Sequence, residues 1–187
     1  MAEPSSQFKV RLATFEDVPA IRALIEESMR KLQAEYYSPE QIEGSLLGAQ
    51  GVDTQLIADQ TYYVVETRRG DGVVMVGCGG WSKRRTLFGS DQRAGREDSF
   101  LDPARDAAKI RAFFVHPEWV RKGIATRILE ICEEAARAAG FRRLEMGATL
   151  SGVPLYRARG YAELERIEAT LANGSVLPIV RMGKTLE

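Results

Sequence analysis

The sequence predicts one mixed α/β domain (α/β with α+β character), and three observations lead there. Its 187 residues are 44% hydrophobic, enough for one filled core and too few for two independent ones. Apolar patterns of period two and period 3.6 alternate along the chain, which disfavours an all-helical bundle or a β-sandwich. No internal repeat or low-complexity tract interrupts them. Residues 8–187 are expected to form this domain, with 1–7 as a flexible N-terminus.

The elements follow in order. Phe8, Val10 and Leu12 alternate with polar residues as a first strand. Asp17 stands where it can cap a helix, with Pro19 in the first turn, where a missing N–H costs little. That helix carries Val18, Ile21, Leu24, Ile25, Ser28, Met29 and Leu32 on one face. Ser38-Pro39-Glu40 opens a second, short helix, and strands at 62–67 and 73–80 flank the turn Arg69-Gly70-Asp71-Gly72. Residues 82–107 are polar and aperiodic, a long excursion of the kind that is usually functional or disordered. An apolar strand at 110–115 then feeds a turn and a helix over about 123–139, with Gly140 as its C-terminal stop. Its inner side is read as Ile124, Ile128, Ile131, Cys132 and Ala135. A strand at 144–149, a short helix at 153–159 ended by Gly160, and a hairpin of 161–169 with 177–182 around Asn173-Gly174 complete the chain.

Composition removes several function classes. Lys plus Arg is 26 and Asp plus Glu is 26, a poor balance for binding nucleic acid or an anionic membrane. The longest nearly apolar stretch, 73–81, is far short of the roughly 20 residues a membrane helix needs. The first residues show neither a basic nor an apolar signal segment, so the expected location is the cytoplasm. Cys78 and Cys132 lie in apolar patterns without a CxxC partner, and His116 is the single histidine. A metal site and histidine-based catalysis are therefore not expected; a ring nitrogen bonding nearby backbone accounts for His116 at a strand end.

Three apparent motifs fail on context. Gly183-Lys184-Thr185 imitates the end of a P-loop, but Pro178 occupies the required glycine position, and the segment reads as a tail. Gly77-Cys78-Gly79-Gly80 imitates a dinucleotide fingerprint, but the third glycine position is Ser82; a bulge or close packing explains it better. Asn173-Gly174-Ser175 is a formal sequon read as a hairpin turn.

The segment that survives runs from Phe113 and Phe114 through Val115-His116-Pro117-Glu118-Trp119 to Val120-Arg121-Lys122-Gly123-Ile124-Ala125-Thr126. A buried strand feeds a turn whose Gly123 and Ala125 open a helix, so a phosphate can approach the backbone closely. Free N–H groups and the positive end of the helix dipole favour an anion there, with Arg121 and Lys122 adding charge. On spacing alone, an ordinary βα turn with solvated basic residues also fits.

At these residues the chain resembles the GNAT superfamily of acyl-CoA-dependent N-acetyltransferases, whose loop between strand and helix has Gln or Arg, two residues, Gly, one residue, and Gly or Ala. Residues 120–125 match it, with Val120 in place of Gln or Arg. The opening Arg11-Leu12-Ala13-Thr14 to Ile21, and Leu155-Tyr156-Arg157-Ala158-Arg159-Gly160-Tyr161, are similar to further family elements; Thr149 stands where many relatives have Asn. The resemblance implies a central twisted mixed sheet, flanked by helices, whose parallel fourth and fifth strands splay apart to admit acetyl-CoA. Phe113, Phe114, Val115 and Val120 to Thr126 would bind that co-substrate, the strand through its backbone. Tyr156 would act as general acid, since a phenol of ordinary pKa about 10 is a fit donor to a thiolate of about 8.5, and its titration would appear as an alkaline limb in kcat.

The residues leave the general base open among Glu66, Asp106, Glu145 and a water chain. Tyr36 and Tyr37 either face the amine or pack a helix end on the core, and the excursion 82–107 is the other candidate acceptor wall. The expected partner is a small-molecule or peptide amine, not nucleic acid or membrane, and a homodimer is compatible with the sequence. The expected reaction is direct transfer from acetyl-CoA to a primary amine without an acyl-enzyme. A non-catalytic acyl-CoA-binding module is the alternative, and a domain with an unrelated βα turn a third reading.

Overall fold

The period-two segments pair edge to edge into one seven-stranded sheet of order β1-β2-β3-β4-β5-β7-β6 in a computed structural model that describes residues 7–187. The strands are β1 (Lys9–Leu12), β2 (Tyr62–Arg69), β3 (Gly72–Ser82), β4 (Ala108–Val115), β5 (Arg143–Thr149), β6 (Ala162–Thr170) and β7 (Val176–Thr185). Every neighbouring pair is antiparallel except β4 and β5, which run parallel and pair only at Ala108↔Leu144 and Lys109↔Glu145. Beyond those two pairs the strands diverge. The expected segment 1–7 lies, apart from Gln7, outside the described residues.

The divergence has a local cause in β4. The β3–β4 register shifts between Cys78 and Gly80, and opposite the shift Ala112 sits at φ 53, a bulge that re-aims the strand. The glycine run of β3 is the complement of that bulge. A Cβ on Gly79 would lie 2.7 Å from the Phe113 ring, and one on Gly77 would lie 2.4 Å from Ile124 Cγ2. These glycines thus serve packing, as the sequence suggested.

Helices cover both faces. On one, α4 (Ile124–Ala138) buries Ile124, Ile128, Leu129, Cys132 and Ala136 against Val76, Ile110, Leu144 and Met146. Leu129 and Ala136 join the expected Ile124, Ile128 and Cys132 as buried residues, Ala135 packs against the same cluster partly buried, and the expected Ile131 is only partly buried. On the other face α1 (Val18–Leu32) buries Ile21, Leu24, Ile25, Ser28 and Met29 with Val64, Cys78, Leu177 and Ile179. Each fully buried Val, Leu, Ile or Met among them contributes about 1.5–3 kcal/mol. Two helices follow α1: α2 (Pro39–Gly44), opened by a Ser38–Gln41 capping box, and α3 (Thr54–Ala58). The short α5 (Val153–Ala158) carries Tyr156. No helix among the described residues is long and apolar enough to cross a membrane.

Two local expectations are corrected. Gly183-Lys184-Thr185 is no tail: Gly183 and Lys184 pair with Glu145 and Leu144 within β7, and Lys184 Nζ lies 3.0 Å from Glu133. Asp17 occupies the N-cap position of α1, but its carboxylate does not cap that helix. It accepts the Thr14 N–H at 2.8 Å and two hydrogen bonds from Arg11 at 2.7 and 2.8 Å, because a 3₁₀ turn over Phe15–Asp17 comes first.

The Arg11 hydrogen bond holds the Asp17 carboxyl down at about 2, from an ordinary 3.8. A depressed carboxyl pKa gives stability that is present above about pH 4 and lost as pH falls toward 2. At 12% side-chain exposure, solvent screening leaves about 1 kcal/mol. Asp17→Asn is expected to lose that amount at pH 7 in urea unfolding, and mutant and wild type are expected to converge near pH 2; a constant gap at both pH values would exclude the ionic account.

Candidate functional site

Where β4 and β5 part, a cleft of ≈ 590 Å³ opens between α1, β4, the start of α4 and α5. A second cavity, of ≈ 50 Å³, lies under the residues near 50 and 88. The two share Phe113, Phe114, Thr149 and Tyr156 as lining. Ligands entering from opposite sides would meet at those four residues.

The loop into α4 forms one end of the larger cleft. His116 starts it: Nδ1 accepts the Glu118 N–H at 3.2 Å and Nε2 lies 3.2 Å from the Glu27 carboxylate. Arg121 at φ 60 and Gly123 at φ 79 then both take left-handed backbone, a conformation that costs a non-glycine residue about 1 kcal/mol and recurs at ligand sites. Gly123 occupies the N-cap position of α4, and no side chain caps the helix. The first-turn N–H groups therefore keep their hydrogen-bonding capacity, backed by the helix dipole. Val120, Arg121, Gly123, Ile124, Ala125 and Thr126 line the cleft. Lys122 is not among its lining residues; its ammonium stands 5.4 Å from the Trp119 ring.

The strand side is built of backbone. Phe114 is buried and Phe113 and Val115 are half-buried, all three lining the cleft. Past Lys109 the β4 backbone has no ladder partner toward β5. A ligand with amide groups can pair there as a strand would.

Tyr156 lies between the two cavities. Its ring packs edge-on against Phe113 (6.3 Å) and Tyr161 (5.9 Å). Among the described residues no hydrogen bond engages its hydroxyl, and burial, then Cys132, raises its pKa. Burial thus favours the protonated phenol. The cysteines cannot act as nucleophiles here: both are buried and unpaired, burial pushes Cys78 up to about 12, and it raises Cys132 as well.

The two adjacent tyrosines have different fates. Tyr36 is 43% exposed and lines the larger cleft. Tyr37 is corrected as an amine-facing residue: it is buried, donating to Pro178 O at 2.8 Å and accepting the Leu150 N–H at 2.9 Å, so it fastens β7 to the end of β5. The base candidates are also corrected. Glu66 is bound to Arg11 between β1 and β2. Asp106 and Glu145 lie in a depression at the paired foot of β4 and β5, Glu145 held by Lys109 and Arg181 at 2.9 Å each. None of the three lines either cavity.

Sequence reasoning missed residues 49–51 and Arg111, which line the small cavity. Arg111 carried a readable signal, since a charge inside an apolar strand requires a buried partner. For 49–51, at the end of a π-helical turn over Ser45–Ala49, no periodicity gave warning.

A sequence model of the Acetyltransferase (GNAT) family matches residues 20–161. Comparison with curated protein sequences gives no match. Among solved structures, the chain is similar to a GCN5-related N-acetyltransferase from Rhodopseudomonas palustris, with 21% identity, 96% of each chain covered and a TM-score of 0.67. It is similar to the PaiA N-acetyltransferase of Thermoplasma acidophilum in complex with coenzyme A, with 13% identity over 95% of this chain and 98% of that one and a TM-score of 0.60. YncA of Salmonella typhimurium, solved with acetyl-CoA, shares 17% identity over 96% and 94% with a TM-score of 0.59. At these identities the likeness is one of fold, including the mixed sheet with parallel β4 and β5. The family match spans more than half of the chain, from α1 through the loop at 120–126 to Tyr161, so the chain belongs to the acetyltransferase (GNAT) family.

Proposed function

We propose that this acetyltransferase moves the acetyl group of acetyl-CoA to the primary amine of a small molecule or peptide by direct attack. The observation that carries this reading is the meeting of two cavities at Tyr156, one large and bounded by free helix N–H groups, the other small. The residues present fit acetyl-CoA: the loop 120–126 would hold its pyrophosphate, and β4 from Phe113 to Val115 would pair with its pantetheine amides and acetyl carbonyl. Bound acetyl-CoA supplies an activated thioester. Tyr156 delivers its phenolic proton to the sulfur that leaves. Among the described residues no carboxylate or imidazole lines the small cavity, and Arg111 is its one charged side chain. The amine therefore reacts in its neutral form and sheds its proton to water.

One observation favours a non-catalytic acyl-CoA-binding module instead. The small cavity, ≈ 50 Å³, admits only a few heavy atoms unless its wall moves. Thermal shift with acetyl-CoA, followed by thiol release over a panel of amines, separates the readings. The enzyme is expected to release CoA in an amine-dependent way, the binding module to be stabilised without release; no stabilisation at all would contradict both.

A further inference from the structure

The wall over the small cavity is held by a buried cluster of charges. It consists of backbone 86–89 from the excursion, and its carbonyl groups are taken by guanidinium groups. Arg111 donates to Thr86 O at 2.9 Å and to Gly89 O at 2.6 Å, and Arg93 donates to Phe88 O. Arg93 also stacks on the Phe88 ring at 3.8 Å, and Arg96 reaches Gly89 O at 3.4 Å. The acid at the centre is Asp53, 1% exposed, which accepts from Arg111 at 2.7 Å, Arg96 at 3.1 Å and the Gln55 N–H at 3.2 Å. Asp98, the other acid of the cluster, is 46% exposed.

The same clamp joins the second part of the wall. Ser90 N–H bonds Gly48 O at 2.8 Å, Asp91 N–H bonds Val52 O at 3.0 Å, and the Thr54 N–H bonds the Asp91 carboxylate at 2.9 Å. Residues 48–54 and 86–91 thus form one layer, whose one buried ionic tie to the sheet among the described residues is Asp53 with Arg111. Arg111 directly precedes Ala112, the bulge that aims the β4 backbone into the cleft. A guanidinium that donates through Nη1 to Thr86 O and through Nη2 to Asp53 and Gly89 O fixes direction as well as distance, which a hydrophobic contact of equal area does not.

We propose that Asp53 and Arg111 are positioning residues for the acceptor: they set the acceptor wall in register with the β4 bulge, where the amine meets the acetyl group. The proposal rests on the acetyltransferase reading of the same site. Neither side chain reaches the larger cleft, so their loss acts on the acceptor half alone.

The test is Asp53→Asn, nearly isosteric and uncharged. Calorimetric affinity for acetyl-CoA is expected to stay within about twofold, while kcat/KM for the best amine falls by tenfold or more. Asp53→Glu, which restores the charge, is expected to recover part of it. Amide exchange at Thr86, Ser90 and Asp91 is expected to speed up by tenfold or more with β6 and β7 unchanged. If Asp53→Asn does not fold, Arg111→Lys, which keeps the charge and loses the guanidinium fork that reaches Thr86 O and Gly89 O, is expected to show a smaller split of the same kind. Unchanged amine kinetics in a folded variant, or equal losses in amine kinetics and acetyl-CoA affinity, would overturn the proposal. A wild type that turns over no amine would fail the acetyltransferase reading instead; unchanged exchange in the variant would then overturn the clamp by itself, and faster exchange would support it.

Discussion

Gly123→Asp is expected to weaken acetyl-CoA binding by tenfold or more, about 1.4 kcal/mol. Gly123 sits at φ 79, and a Cβ built on it would meet nothing within 4 Å. The new side chain therefore enters open space, and its cost to folding is confined to the left-handed backbone, which Asp tolerates better than most residues. Its carboxylate would lie beside the uncapped first-turn N–H groups of α4, where it competes for them and repels an incoming pyrophosphate. Gly123→Asn separates the two effects, since it is of similar size and equally tolerant of this backbone but uncharged. Calorimetry is expected to rank wild type above Asn and Asn above Asp, the gap shrinking in high salt. Unchanged affinity in a folded Asp variant would remove the loop from the binding site.

The loop was visible in the sequence because its cause is local: a strand pattern, Gly123, Ala125, then a helical stripe. The alternation of Phe8, Val10 and Leu12 with polar neighbours, and the stripe from Ile21 to Met29, are local in the same way, so strands and covering helices could be read from periodicity, while the splayed parallel pair came from the family resemblance. What escaped is set by partners far along the chain. Asp53 and Arg111 stand 58 residues apart, and neither shows its partner in sequence. Tyr36 and Tyr37 differ only in direction, which the turn after α1 decides and composition does not. Asp17 had the right residue type for a cap, but Arg11 and Thr14 claim its oxygens. Glu145, one of the carboxylates left open as general base, is consumed by Lys109 and Arg181. The bulge at Ala112 follows from packing of Phe113 onto Gly79, a contact between strands that no single-strand pattern announces.

Tyr156→Phe is expected to lower kcat by at least about tenfold with the best amine, against the 10²–10⁴-fold typical of general acid catalysis, since solvent replaces part of the lost donor. The substitution is a clean one. The ring contacts with Phe113 and Tyr161 survive, and the hydroxyl has no hydrogen-bond partner among the described residues, so removing it leaves no protein group unsatisfied. The melting temperature and the acetyl-CoA dissociation constant are therefore expected to change little, and the loss to fall on kcat and kcat/KM together. The pH profile gives a further check. Burial raises the Tyr156 pKa above its ordinary value of 10, and an acid with a raised pKa keeps its proton to higher pH. The alkaline limb expected from an ordinary phenol is thus displaced upward, and wild-type kcat should show no loss from this group below about pH 10. The phenylalanine variant should then run parallel to wild type across the neutral range at a lower level. A variant with wild-type kcat, measured where chemistry limits the rate, would leave Tyr156 as a packing residue between the two cavities and return the proton to water.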